Sequence, residues 1–103
     1  GAKVFSKCKA CHSIAKDGGN KIGPALWGVI GRNAGAVTDY KYSKAMLAHG
    51  KKWSFEEMNG FLIKPKEWVQ GTKMSYAGLK DPKERAAVIL YMNENTNNPL
   101  PIN

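Results

Sequence analysis

The sequence predicts an all-α domain of short helices joined by long loops. Three observations lead there. Apolar residues recur at helical spacing near the start and through the second half. Two strong helix-start signals precede the later stripes. No pair of alternating runs reads as a strand hairpin. At 103 residues and 11.3 kDa the chain is one domain, residues 1–103, with no internal repeat or linker. It has no apolar run near the ~20 residues that cross a bilayer, so the chain itself is not expected to span a membrane.

The first predicted element runs over Ala2–Ala15, where Val4, Phe5, Cys8, Cys11, His12 and Ala15 keep a helical period. From Lys16 to Tyr42 no period holds. Glycines at 18, 19, 23, 28, 31 and 35 and Pro24 mark a long loop, of the kind that in a small domain wraps something functional. Tyr42–His49 reads as a short helix. Ser54 followed by Glu57 is a capping box, with Phe55, Met58, Phe61 and Leu62 as the stripe behind it. Pro65 opens a brief helix to about Val69. Asp81, Pro82 and Glu84 supply cap, first-turn proline and first-turn acid for a last helix carrying Val88, Ile89, Tyr91 and Met92, closed by Asn95–Asn98 and Pro99.

Helices this short bury little apolar surface, and domains of this size are marginal. The chain nonetheless carries Trp27, Trp53, Trp68, Tyr40, Tyr42, Tyr76 and Tyr91. A bulky, flat, apolar group at the centre would give these side chains something to pack against.

Cys8-Lys9-Ala10-Cys11-His12 is C-x-x-C-H, the attachment pattern of haem c. On a helix, residues three apart lie ~4.5 Å apart along the axis and face one side. Both thiols can therefore add to vinyl groups on one porphyrin edge, and His12, four residues after Cys8, can bring an imidazole to the iron. A thioredoxin-like redox pair would need a βαβ setting. A zinc site would have to combine the pair with His12 and His49, and adjacent Cys11 and His12 rarely reach one tetrahedral ion. Two structural thiols remain a third reading. Two cysteines are too few for a four-thiolate cluster or a disulfide-stapled miniprotein.

An electron-carrying iron needs a second strong axial ligand. The candidates are Met46, Met58, Met74, Met92 and His49. Met58 and Met92 sit on apolar stripes and read as core, as does Met46. His49, before Gly50, reads as an exposed helix-end histidine. Met74 lies in the irregular segment Gly71-Thr72-Lys73-Met74-Ser75-Tyr76-Ala77-Gly78, which no stripe explains and which can aim a thioether at a central iron. His12 and Met74 are the expected pair.

These segments, in this order, resemble the class I cytochromes c of the short mitochondrial and α-proteobacterial type. The resemblance rests on Phe5, CKACH (8–12), GPAL (23–26), Gly31-Arg32, Tyr40-x-Tyr42-Ser43, Trp53, Pro65, GTKM (71–74), Tyr76-Ala77-Gly78 and Tyr91, and it covers nearly the whole chain. It implies that fold, wrapped around one covalent haem c held by Cys8 and Cys11 with His12 and Met74 on the iron. It further implies that the Pro24 carbonyl fixes the His12 tautomer, and that Arg32, Tyr42, Trp53 and Thr72 bury and neutralise the propionates. Gly1, Phe5, Val88 and Tyr91 match its contact between first and last helices. Phe61 stands where many relatives carry a Tyr, and Met46 where many carry an Asn. Both departures remove hydrogen-bonding groups near the haem, so a simpler and drier polar network is expected there.

Sixteen Lys and Arg against eight Asp and Glu give net +8, and the field favours an anionic partner. In a fold of this family Lys7, Lys9, Lys21, Lys66, Lys73 and Lys80 ring the haem edge, interrupted by Glu67 and Asp81. The resemblance implies a non-enzymatic, monomeric one-electron carrier docking transiently on acidic surfaces of a quinol–cytochrome c reductase (bc1 complex) and a terminal cytochrome c oxidase. A peroxidase-like or ligand-binding haem protein is the alternative, and would need an open iron position. A nucleic-acid module fits poorly, since only Arg32 and Arg85 are arginines. Haem c is attached outside the cytoplasm, so the expected compartment is the bacterial periplasm, with the mitochondrial intermembrane space as alternative. The start at Gly1, close before Phe5, reads as a soluble piece of a longer, membrane-tethered chain.

Overall fold

A computed structural model describes residues 2–101. Five helices follow in order: α1 (Ala2–Phe5), α2 (Lys44–His49), α3 (Phe55–Ile63), α4 (Pro65–Trp68) and α5 (Pro82–Glu94). Among the described residues extended pairing is limited to one isolated bridge between Asn33 and Lys52. The helices are short and the loops long, as the punctuation of the sequence implies.

The caps form where the sequence puts them. Ser43 accepts from the Met46 amide at 3.1 Å, Ser54 from that of Glu57 at 3.1 Å and Asp81 from that of Lys83 at 2.9 Å. The capping box at α3 is only half made. The Ser54 amide is already taken by the Lys52 carbonyl at 2.9 Å, which leaves the Glu57 carboxylate free to bond elsewhere.

The first helix corrects the expectation of a continuous Ala2–Ala15 element. It stops at Phe5 and passes into turns, with Cys8 bonding back three residues to the Phe5 carbonyl at 2.7 Å. A second short turn then closes from the His12 amide to the Cys8 carbonyl at 2.9 Å. The helix cannot resume because the following loop claims its acceptors. The Cys11 carbonyl accepts from Gly23 at 2.7 Å and that of Ser13 from Leu26 at 2.8 Å.

The long loop of residues 16–42 is tied down through its backbone. Gly28 donates to Asn95 at 2.8 Å, Gly31 to Trp53 at 2.8 Å and Ala34 to Lys51 at 2.8 Å, while Trp53 donates to Arg32 at 2.9 Å. Every such bond links the loop to a segment distant in sequence, which is why periodicity could not reveal it.

α1 and α3 each pack against α5, in a core that includes Phe5, Met58, Phe61, Leu62, Val88, Ile89 and Met92, all buried. Phe5 and Tyr91 meet with ring centroids 5.5 Å apart, the contact expected between first and last helices; Gly1, its other expected member, lies outside the described residues. Asn93 is the buried polar residue of the last helix. Its amide bonds the Leu100 carbonyl at 3.0 Å and accepts from the Leu100 amide at 2.9 Å, holding the end of the chain against the body.

The segment carrying Met74 is fixed at its far end. The Leu79 amide donates to the Leu62 carbonyl at 2.7 Å, and Gly78, at φ 127°, passes so close to the Ile63 carbonyl that a Cβ there would collide with it. Arg85 completes the attachment, donating through Nη1 to the carbonyls of Leu79 (2.9 Å) and Lys80 (2.8 Å) and through Nε to Asn59 at 2.8 Å. Charge-assisted bonds of this kind contribute roughly 1.5–3 kcal/mol. Arg85→Ala is therefore expected to lower the unfolding free energy by about 2 kcal/mol, read as a reduced denaturant midpoint with unchanged slope.

Candidate functional site

A cavity of ≈ 590 Å³ opens between the loops and the helical core. Its size falls within the roughly 300–1,000 Å³ of sites that bury an organic cofactor. Cys8, Cys11, His12, Pro24, Arg32, Tyr42, Trp53, Phe61, Thr72 and Met74 all line it. The site residues expected from the sequence, scattered over 67 positions from Cys8 to Met74, thus converge on one space. Met58 and Met92 are buried as expected and also wall the cavity, as does half-buried Met46.

His12 is the most tightly specified of these groups. Its Nδ1 lies 2.8 Å from the Pro24 carbonyl oxygen. A carbonyl only accepts, so Nδ1 carries the proton and Nε2 keeps its lone pair. Burial pushes the imidazole below its ordinary range, the Pro24 bond opposes this, and the nearby Arg32 charge lowers it further. At neutral pH the ring is uncharged, the form that binds metal. A Cβ at Gly23 would run into this ring, so glycine is required there. The two thiols are unbridged and half-buried, and burial followed by the neighbouring Cys11 pushes Cys8 upward against the pull of Lys7.

The polar end of the cavity is short of acceptors. Arg32 spends Nη1 on the carbonyls of Ala25 (2.9 Å) and Trp27 (3.3 Å), while its buried Nε has no partner among the described residues. Tyr42 Oη accepts from the Val37 amide at 3.1 Å and Thr72 Oγ1 from the Met74 amide at 3.3 Å. Each hydroxyl therefore retains its own proton to donate. One orphaned guanidinium N–H and two unspent hydroxyl protons facing one cavity call for an anionic acceptor. Burial pushes the Arg32 guanidinium down from its ordinary range, with Tyr42 acting the other way, and it remains a cation at neutral pH.

The remaining walls are apolar or aromatic. Trp53 is 5% exposed and meets Phe61 with centroids 5.1 Å apart. A macrocycle with an apolar face, carboxylate arms and a central metal fits this donor set: thiols and imidazole on one segment, a thioether on another, and acceptor-seeking groups between them.

Two features of the mouth escaped the sequence reading. Ile22, 76% exposed, sits on its rim, and Tyr40 donates to the Ile22 carbonyl at 2.8 Å while meeting Tyr42 edge-on at 4.9 Å. Tyr40 was legible in the aromatic surplus and in the Tyr40-x-Tyr42-Ser43 motif, but its bond to Ile22 was not, and nothing local marks Ile22. Of the six lysines expected at the rim, Lys7 and Lys73 line the cavity, whereas Lys9, Lys21, Lys66 and Lys80 are exposed and do not line it. Lys7 pairs with Glu84 at 3.5 Å and Lys73 donates to the Lys41 carbonyl at 2.7 Å.

His49 corrects the expectation of an exposed helix-end histidine. Its side chain is 13% exposed, and its Nε2 lies 3.3 Å from the Glu57 carboxylate. It does not line the cavity, so it joins neither the cysteine pair nor the candidates for the iron.

A family model described as cytochrome c matches residues 1–96. A cytochrome c homolog of Rickettsia bellii is 49% identical over 92 residues, covering 89% of this chain and 53% of that protein. Cytochrome c-type cyt cy of Rhodobacter capsulatus is 49% identical over 94 residues, covering 90% and 46%. The cytochrome c of Gibberella zeae is 43% identical over 97 residues, covering 93% and 92%. The chain spans about half the length of the bacterial relatives it matches. Among solved structures, cytochrome cH from Methylobacterium extorquens superposes with a TM-score of 0.85 at 37% identity, covering 90% of this chain and 93% of that one.

The close approach of Gly23 to the imidazole yields a prediction. Gly23→Ala is expected to displace His12 and lower the recovery of pigmented chain by about tenfold, the range seen when a group that orients a ligand is lost. The ratio of visible to ultraviolet absorbance after purification measures it.

Proposed function

The chain belongs to the cytochrome c family, and from that premise we propose that it carries single electrons between membrane-bound respiratory complexes by means of one covalently held haem c. The observation that carries this reading is the preset His12 tautomer, Nδ1–H on Pro24 and Nε2 free, in a cavity that also receives both cysteines and Met74. In this reading Cys8 and Cys11 form the thioethers and His12 and Met74 bind the iron. Bound there, haem c supplies a one-electron iron couple.

The protein's own work is to keep that couple closed to other chemistry. His12 is held by Pro24 and walled by Gly23, so its lone pair has one direction. Met74 sits on a segment anchored at Leu79 and by Arg85, and its thioether would be the second ligand to the iron, a place that a peroxidase would leave open. Trp53, Phe61, Met58 and Leu62 exclude water and lower the local dielectric. Arg32, Tyr42 and Thr72 would donate to the propionates, so that buried carboxylates would not be left uncompensated. Phe61 and Met46 bring no hydrogen bond to this lining, which supports a drier interior than a Tyr and an Asn would give. The chain needs no catalytic acid or base and acts as a carrier, not an enzyme.

The cationic surface selects the partners. With net +8, the lysines attract acidic docking surfaces on a bc1-type reductase and a terminal oxidase, and exposed Ile22 provides an apolar contact beside the cavity mouth. Lys7, Lys9, Lys21, Lys66, Lys73 and Lys80 make up that field. Complexes of this sort are small and transient, and the carrier works as a monomer in the bacterial periplasm.

Redox titration of the purified pigmented protein and of Met74→Ala tests the ligand assignment. The variant is expected to lose the iron–thioether charge-transfer band and fall in potential; an unchanged spectrum and potential would show that another residue binds the iron. For the docking field, Lys21→Glu is expected to slow association with an acidic redox partner about threefold at low salt, with the difference closing as ionic strength rises. Stopped-flow measurements over a salt series give the comparison.

A further inference from the structure

Trp68 ends α4 and is 46% exposed, so burial alone does not hold it. Two contacts fix its indole instead. Nε1 donates to the Glu57 carboxylate of α3 at 2.7 Å. The far edge of the ring lies over Gly60, so close that a Cβ there would stand 2.6 Å from it. The carboxylate is itself held from α2 by His49, whose Nε2 lies 3.3 Å away, and Lys51 Nζ approaches it to 3.6 Å. His49 in turn meets Trp53 of the cavity wall with ring centroids 5.9 Å apart. The carrier function assigns no task to this cluster.

Gly60 is otherwise a poor choice for its place. It lies inside α3, where glycine weakens a helix, and no positive φ calls for it. The use the structure gives it is as a seat for the indole. A side chain at that position would force the ring to swing aside and break its bond to Glu57.

Beyond Trp68 the chain runs directly into the segment that carries Met74, and the steps between are bonded. The Val69 amide donates to the Pro65 carbonyl at 3.0 Å, and Val69 is buried. The Thr72 amide donates to the Val69 carbonyl at 3.1 Å, and the Met74 amide to Thr72 Oγ1 at 3.3 Å. Gly71, at φ 92°, passes against Ala45 of α2. On the far side of Met74, Leu79 is tied to the Leu62 carbonyl. α3 therefore holds the segment on both sides of the thioether, by α4 before it and by Leu79 after it.

We propose that Trp68, seated on Gly60 and bonded to Glu57, is a positioning residue for Met74, an inference that rests on the haem reading given above. Trp68 does not line the cavity and acts only through the backbone that follows it. With α4 seated, the Met74 segment is a strap fixed at both ends, and its thioether is returned to one place. With α4 loose the strap keeps one fixed end. Local opening then costs less, and an outside ligand displaces the thioether more readily.

Gly60 supplies the sign of the test. If Trp68 were a surface group without this task, Gly60→Ala would strengthen α3, because alanine is the better helix former. If the seat holds the strap, the added methyl unseats the indole and loosens Met74.

The experiment uses the pigmented protein, first checked for covalent haem and for the iron–thioether band. Imidazole in excess over the oxidised protein displaces the thioether, and stopped-flow absorbance at that band gives the rate. Wild type, Trp68→Phe, Trp68→Ala, Gly60→Ala and the double variant Gly60→Ala/Trp68→Ala are compared well below their denaturant midpoints. Trp68→Phe keeps a ring over the seat and loses the N–H, and is expected to speed displacement about tenfold, the worth of one charge-assisted hydrogen bond. Gly60→Ala is expected to act in the same direction. The double variant should match Trp68→Ala, since without the indole the methyl has nothing to displace. An unchanged rate in either Trp68→Phe or Gly60→Ala, even with a lowered denaturant midpoint, would overturn the proposal and leave the carrier reading intact. So would a slower rate in Gly60→Ala. A wild-type chain without haem, or with haem but without the band, would remove the carrier reading or its Met74 ligand instead, and this inference with it.

Discussion

The body of this protein is built around a space its side chains do not fill. Its short helices bury a core around Phe5, Val88 and Ile89, while Trp53, Met58, Phe61, Met74 and Met92 also line a common cavity. Such an interior is costly when left to water, because apolar lining loses contact on one face. A flat ligand would contact Trp53, Phe61, Met58 and Leu62 at once. Cofactor binding and folding stability are then largely the same quantity.

That constraint explains the loops. A cavity of this kind cannot be lined by helices alone, since each helix offers one stripe. The segment of residues 16–42 and the segment around Met74 supply the other walls, and both are secured by backbone bonds to distant residues: Gly31 to Trp53, Ala34 to Lys51, Leu79 to Leu62. Irregular chain is rigid here because its donors and acceptors are spent. Such fixed surroundings would suit the proposed electron carrier, since they need change little between two charge states.

Electrostatics divides the molecule into three zones. The outer surface carries most of the surplus lysines. Arg32, Tyr42 and Thr72 line one cavity, with Arg32 Nε unpartnered among the described residues and both hydroxyl oxygens already accepting from backbone amides. Behind Trp53, the single carboxylate of Glu57 draws His49, Trp68 and Lys51 together. The last zone arises from a competition at one backbone amide: Lys52 takes the Ser54 N–H that a complete capping box would give to Glu57, and the freed carboxylate finds partners on α2 and α4.

Much of this was legible in the sequence. The C-x-x-C-H spacing, the Ser54 and Asp81 caps, the stripe of α3 and α5, and the loop position of Met74 are local signals, and local signals depend only on the spacing of neighbouring residues along one chain. What failed to show was of another kind. The helical run does not resume beyond His12 because Gly23 and Leu26 take the carbonyls of Cys11 and Ser13, and no pattern within residues 2–15 records that competition. The burial of His49 against Glu57, the place of Ile22 at the mouth and the orphaned Nε of Arg32 likewise exist only once distant segments meet. The sequence by itself thus determined which chemical groups were present and which short elements would carry them. The tertiary structure decided which hydrogen-bonding groups were claimed by a neighbour and which were left facing the cavity, because a donor's partner is chosen by proximity in space, not by position along the chain.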